Sequence, residues 1–180
     1  FGEAPGLDGA SLGVDARERQ RLLGRNGSGK STVLRLLAGE LRPDEPVLSV
    51  RQLGAAHGIA APVGGMTGAP HGNVCAAVLA QCCEANIKAM KERDPDNPAI
   101  ARYDIVGQLL TGNPNASAED GVEWIRETVS MLGVGGLASL GLTKDQLDAA
   151  TKAAMNASSM KGNPIVLTYD EVHAILTKSL

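Results

Sequence analysis

Apolar positions over the C-terminal two thirds of the chain recur at helical spacing, and polar, turn-forming residues separate the runs. Asn73 to Met90 is Ala-rich and periodic, which predicts one long helix. Pro98 at a first helical turn opens a second helix running to about Leu110. Capping-box patterns start three later ones: Ser117-x-x-Asp120, Thr143-x-x-Gln146 and Thr168-x-x-Glu171. Gly133 to Gly136 and Lys161-Gly-Asn-Pro164 are the punctuation between helices. The first 50 residues read otherwise. Leu7 to Val14 has weak strand character, Gln20-Arg-Leu-Leu23 runs into a glycine-rich stretch, and Ser31 to Ala38 has helical spacing that stops at Gly39 or by Pro43. Arg outnumbers Lys in this part, and Lys outnumbers Arg after it. The pattern therefore divides into a small α/β segment over residues 1–50 and a mainly α domain over 51–180, its helices lying within about 55–180. No internal repeat is present.

Composition narrows the class. Aromatic residues make up only 2%, so a core has to be built from Leu, Ile, Val, Ala and Met, which suits helix packing better than a β-sandwich. The 180 residues suffice for one ordinary domain or two small ones. A net charge of −3 and a pI near 5.6 give no basic face for nucleic acid. No apolar run approaches the roughly 20 residues that span a bilayer, and none follows a charged start as in a signal peptide. Cys75, Cys82 and Cys83 form no disulfide framework, and free thiols point to a reducing compartment. The expectation is a cytoplasmic globular protein with neither nucleic acid nor membrane as partner.

The first chemical motif is Gly24-Arg25-Asn26-Gly27-Ser28-Gly29-Lys30-Ser31, followed by Thr32, which fits the phosphate-loop pattern GxxxxGK[ST]. The glycines let backbone N–H groups curl round phosphate oxygens, Lys30 brings a mobile positive charge, and the Ser31 hydroxyl suits Mg²⁺. The helix expected to start there adds its positive dipole end. From Ser11-Leu-Gly-Val14 through Leu36-Leu-Ala-Gly39 to Pro43-Asp44, with Phe1-Gly2 at the adenine-stacking position, the segment resembles the start of an ABC-type ATPase domain. That resemblance covers about residues 1–45 and implies ATP and Mg²⁺ at the loop. The family's Q-loop, signature motif, switch His and Mg²⁺-binding Asp after an apolar strand have no counterpart, so ATP hydrolysis is not expected. Gln20 and Arg21 also make a poor buried strand, and about 50 residues are too few to fold alone.

The second motif is a pair of histidines, His57 and His71, in Leu53-Gly-Ala-Ala-His57-Gly-Ile-Ala-Ala-Pro-Val-Gly-Gly65 and Ala69-Pro-His71-Gly72. By themselves they read either as two loop histidines or as a metal pair. With Glu84-Ala-Asn86, Pro98 to Tyr103, Gly121-Val-Glu-Trp124, Leu140-Gly-Leu-Thr143, Ser158 to Pro164 and Leu167 to Glu171, the frame resembles the C-terminal helical domain of iron-containing alcohol dehydrogenases, a dehydroquinate-synthase-like fold. The resemblance covers about residues 52–180. It implies that His57 and His71 are ligands of Fe²⁺ or Zn²⁺, which polarises the substrate oxygen while hydride passes between a small alcohol or aldehyde and NAD(P). The Asp and further His that complete the family's ligand set have no counterpart here. Nor does its N-terminal dinucleotide-binding domain, so NAD(P) is expected only where a second domain supplies that site. A homo-oligomer is compatible with the resemblance.

No catalytic residue is assigned. Three readings follow: a truncated metal-binding dehydrogenase domain fused behind a piece of ABC-type ATPase, a nucleotide-binding module carried on a helical scaffold, or an inert gene-fusion product. Among the remaining candidates, His173 is expected at the surface or partly packed. Cys75, Cys82 and Cys83 lie on one Ala-rich helix, Cys75 and Cys82 on the same face, and small buried hydrophobes are their expected role. Glu92 to Asp96 is a solvated charge run at a helix end, and Met155 and Met160 are filler in core or turn.

Overall fold

Backbone groups in residues 54–180, the part that this computed structural model describes, are satisfied by six α-helices and two short 3-10 turns; among the described residues there is no strand. In chain order the helices are α1 (Ala55–Thr67), α2 (His71–Arg93), α3 (Ala99–Thr111), α4 (Ala118–Met131), α5 (Leu147–Met155) and α6 (Tyr169–Lys178). The 3-10 turns are Lys144–Gln146, leading directly into α5, and Ser158–Gly162. The phosphate-loop residues Gly24–Thr32 and the division near residue 50 lie outside the described residues.

Helix α2 is the axis of the domain. It packs against α1, α4 and α6 and more lightly against α3, while α1 also lies on α5 and on the second 3-10 turn. The main core joins α1, α2, α5, α6 and the 137–142 turn through Ile59, Val63, Val74, Val78, Leu137, Leu142, Leu147, Val172, Ile175 and Leu176. A smaller core under α4 is made by Ala80, Ile87, Ala118 and Val122. Both are built mainly from aliphatic side chains, as the composition requires. No helix among the described residues is long and apolar enough to cross a membrane.

The capping boxes do what their spacing predicts. Ser117 Oγ accepts from the Asp120 amide at 3.2 Å, and the Asp120 carboxylate accepts from the Ser117 amide at 2.8 Å. Thr168 and Glu171 do the same at the start of α6, while Thr143 and Gln146 open a 3-10 turn before α5. Pro98 is the N-cap of α3.

Helix α3 buries Gly107 and leaves Ile105, Val106 and Leu109 exposed. Gly107 is needed for a close crossing with α4. A Cβ there would stand 2.1 Å from the Ser117 carbonyl oxygen, and one on Gly121 would stand 2.7 Å from the Gly107 Cα. The two helices thus touch backbone to backbone.

Helix α1 departs from the local signals. Its stretch contains three glycines and Pro62, whose missing N–H leaves the Gly58 carbonyl without its helical donor. Burial overrides propensity here: Ala55, Gly58, Ile59, Ala60 and Val63 are all buried. Gly58 lies under Met160, whose Sδ would be 2.4 Å from an added Cβ, so this methionine fills a gap between α1 and the 3-10 turn.

Candidate metal centre

His57 sits in the first turn of α1, and His71 is the first residue of α2. The end of α1 is ten residues beyond His57, about 15 Å along the axis, so the link between the helices has to fold back for the rings to meet. Gly68 does this with φ 74°, a left-handed conformation that suits glycine, and its amide donates to the Gly64 carbonyl at 2.8 Å. Thr67 Oγ1 accepts from the Ala69 amide at 3.1 Å and donates to the Val63 carbonyl at 2.9 Å, tying the link to α1. A Cβ on Gly64 would lie 3.3 Å from the Ala69 carbonyl oxygen, which shows how closely the link returns over the helix. The imidazole centroids end 5.4 Å apart, with the rings tilted by 45°.

A third donor completes the group. Cys75 is one turn beyond His71 on the same face of α2, and its Sγ lies 3.5 Å from His71 Nε2. One donor atom from each of His57, His71 and Cys75 falls within 4.8 Å of the other two, and all three residues are half-buried. Among the described residues this is the group of His, Cys, Asp and Glu donors with metal-site spacing, and no carboxylate joins it. Two imidazole nitrogens and a thiol are borderline-to-soft donors, a set that fits Zn²⁺ and accommodates Fe²⁺.

The structure places His57 and His71, the pair singled out in the sequence, side by side, and adds Cys75, which the sequence suggests only as a small hydrophobe. The sequence pattern begins α2 at Asn73, which leaves His71 outside the helix and hides the i, i+4 relation to Cys75. The other two thiols do match that reading in part. Burial raises the Cys82 thiol well above its ordinary value, with the neighbouring thiols adding to the effect, and burial pushes Cys83 up to about 11 against a lowering hydrogen bond with Tyr103. His173 is half-buried and stacks on Tyr169, with centroids 6.1 Å apart, away from the donor group.

A polar network anchors the start of α1. Asn163 Oδ1 accepts from the Ala55 amide at 3.0 Å and from Asn86 Nδ2 at 3.1 Å. Asn163 Nδ2 donates to Asn86 Oδ1 at 2.6 Å and to the Ile165 carbonyl at 2.8 Å. Asn86 Nδ2 also donates to the Tyr103 hydroxyl at 3.1 Å. The Gly54 amide donates to the Ser159 carbonyl at 2.9 Å alongside. This amide pair fixes α1 two residues before His57. Both asparagines lie in stretches that carry the family resemblance, and no local signal pairs residues 77 apart.

The helical domain shares its fold with part of solved oxidoreductases, alcohol dehydrogenases among them. It superposes on a 1,3-propanediol oxidoreductase with a TM-score of 0.55 at 20% identity, covering 71% of this chain and 33% of that one. On the archaeal halo-thermophilic Red Sea brine pool alcohol dehydrogenase ADH/D1 bound to NZQ, the TM-score is 0.61 at 22% identity, covering 69% and 32%. Residues 46–180 match the C-terminal domain of the Fe-containing alcohol dehydrogenase family, and the chain belongs to that family.

Residues 7–58 match the ABC transporter family as well, overlapping the first match over 46–58. The hemin import ATP-binding protein HmuV of Bradyrhizobium diazoefficiens is 49% identical over 51 residues, 28% of this chain and 19% of that protein. The ribose import ATP-binding protein RbsA of Pseudomonas putida is 54% identical over 44 residues, 24% of this chain and 9% of that protein. The chain thus spans a fifth or less of these ATP-binding relatives and about a third of the solved dehydrogenases.

Proposed function

We propose that residues 51–180 are the metal-binding helical domain of an iron-containing, NAD(P)-dependent alcohol dehydrogenase, with His57 and His71 as ligands of Fe²⁺ or Zn²⁺. The observation that carries this reading is the approach of the two rings to 5.4 Å from separate helices, across a link that folds back at Gly68. Membership of the family supplies the chemistry: when bound, a divalent ion polarises the oxygen of a small alcohol or aldehyde. The chain's own part is to hold the two imidazoles in a half-buried setting, on helices anchored by the main core and by the Asn86–Asn163 pair.

The described residues do not fit NAD(P). A dinucleotide diphosphate is cradled by a glycine-rich turn between a strand and a helix, and there is no strand among them. The expectation for these residues by themselves is no reduction of NAD(P) with an alcohol, since without an oriented acceptor for hydride an advantage of about 7–11 kcal/mol from positioning is forgone. Elemental analysis of the purified chain tests the metal reading. Bound Fe or Zn that is lost on His57→Ala and on His71→Ala, and kept on His173→Ala, supports it; equal loss from all three assigns the metal to nonspecific surface coordination.

The match of residues 7–58 to ABC transporters favours a second role for the same chain, nucleotide binding at Gly24–Thr32 without hydrolysis. Titration with ATP and Mg²⁺, with and without Lys30→Ala, checks it. Phosphate release that depends on Lys30 would refute the absence of turnover.

A further inference from the structure

We infer that Cys75 is a third metal ligand, so that this chain carries a His₂Cys site that selects Zn²⁺ or another borderline-soft divalent ion over Fe²⁺. The inference rests on the reading of His57 and His71 as ligands and adds to it.

The geometry is already near that of a metal polyhedron. In a tetrahedral zinc site with Zn–N of about 2.05 Å and Zn–S of about 2.3 Å, the N···N edge is about 3.4 Å and the N···S edge about 3.6 Å. The His71 Nε2 to Cys75 Sγ distance is 3.5 Å, one such edge in place. Closing the other edges means drawing His57 inward from a donor separation no greater than 4.8 Å, a change within reach of imidazole rotation. Helix α2 fixes the first two donors by its own periodicity, since residues four apart lie one above the other on a helix face. Only His57 must be brought in by the tertiary structure, and the fold-back at Gly68 and the amide anchor at Ala55 do so.

The donor set decides the metal. Thiolate with imidazole suits Zn²⁺, whereas octahedral oxygen-rich or His-carboxylate sets suit the harder ions. Three protein ligands leave a fourth position, the arrangement of a catalytic zinc rather than of a closed structural one. That position takes water or the oxygen of a small alcohol or aldehyde. Cys82 and Cys83 lie further along α2 and face other neighbours: Cys82 is buried in the main core, and Cys83 packs against the smaller one. They do not enter the donor group.

Cobalt(II) is the probe, because a thiolate ligand gives it a near-ultraviolet charge-transfer band that imidazole and water do not. The full chain is titrated with Co²⁺ under reducing conditions as wild type, Cys75→Ser, Cys75→Ala and His57→Ala, each checked for helix content by circular dichroism. The expected result is the band in wild type, its loss in both Cys75 variants with weakening of at least about tenfold, and no stoichiometric binding in His57→Ala. Competition should favour Zn²⁺ over Fe²⁺ in wild type and less so in Cys75→Ser. Histidine-dependent binding without the band, or a band that survives Cys75→Ser, overturns the thiolate ligand and leaves the two-histidine reading standing. Binding indifferent to His57→Ala overturns both.

Discussion

Replacing Asn163 with alanine should loosen the start of α1, and the structure gives the size of the effect. The side chain makes four hydrogen bonds: to the Ala55 amide, to both ends of the Asn86 amide, and to the Ile165 carbonyl. At about 0.5–1.5 kcal/mol net for each, these amount to about 2–6 kcal/mol. Asn86 is only 4% exposed, so its Oδ1 is left without this partner where water enters poorly, while its Nδ2 keeps the Tyr103 hydroxyl. Asn163 itself is half-buried, and water reaches the Ile165 side more easily. The expected loss is about 3 kcal/mol. Asn163→Asp keeps the two accepted bonds but sets a carboxylate oxygen against the Asn86 Oδ1 and the Ile165 carbonyl, so it should recover little. Urea unfolding, followed by circular dichroism and by fluorescence of the single Trp124 on α4, measures the midpoint at constant slope. A metal titration of the same variants should show weaker binding, because His57 lies two residues beyond the anchored amide. A stability loss below about 1 kcal/mol for Asn163→Ala would show that water replaces the network, and unchanged metal affinity would show that it does not position His57.

Two glycine substitutions should have opposite signs. Gly107→Ala puts a methyl 2.1 Å from a backbone oxygen of the neighbouring helix, so overpacking outweighs the gain in helix propensity and about 2 kcal/mol is lost. Gly65→Ala in α1 meets no atom within 4 Å and should gain about 0.5–1 kcal/mol in the same urea assay. A Gly107→Ala chain as stable as wild type would contradict the backbone contact. Alkaline titration tests the Cys83 thiol. Cys83 ionises near 11 when folded against an ordinary value of 9.0, so the native state holds its proton longer and stability falls as pH rises between the two. The loss is about 2–3 kcal/mol across that window, and Cys83→Ala should flatten that part of the stability-against-pH curve. Zn²⁺ should slow the alkylation of Cys75 and leave that of Cys82 and Cys83 unchanged, as read by mass spectrometry of the labelled peptides.

The sequence by itself determined where the later helices begin. Ser117, Thr143, Thr168 and Pro98 act on backbone groups within three or four residues, so their effect is readable without knowing what lies across the fold. The aliphatic composition determined the kind of core, and the spacing and framing of His57 and His71 singled out the pair. Tertiary structure decided the rest, because the energies involved come from residues far apart in the chain. It made a helix of the Gly- and Pro-bearing stretch around His57 by burying Ile59 and Val63 in the core that this stretch shares with α2 and α5. It matched Asn86 with Asn163, and Gly107 with Gly121, neither of which has a partner within its own helix. It also extended α2 back to His71, which set Cys75 one turn away and turned two histidines into a three-donor group. A capping residue meets its partner in any chain that starts a helix there, whereas a metal centre exists only where the packing of separate helices brings its donors within a few ångströms.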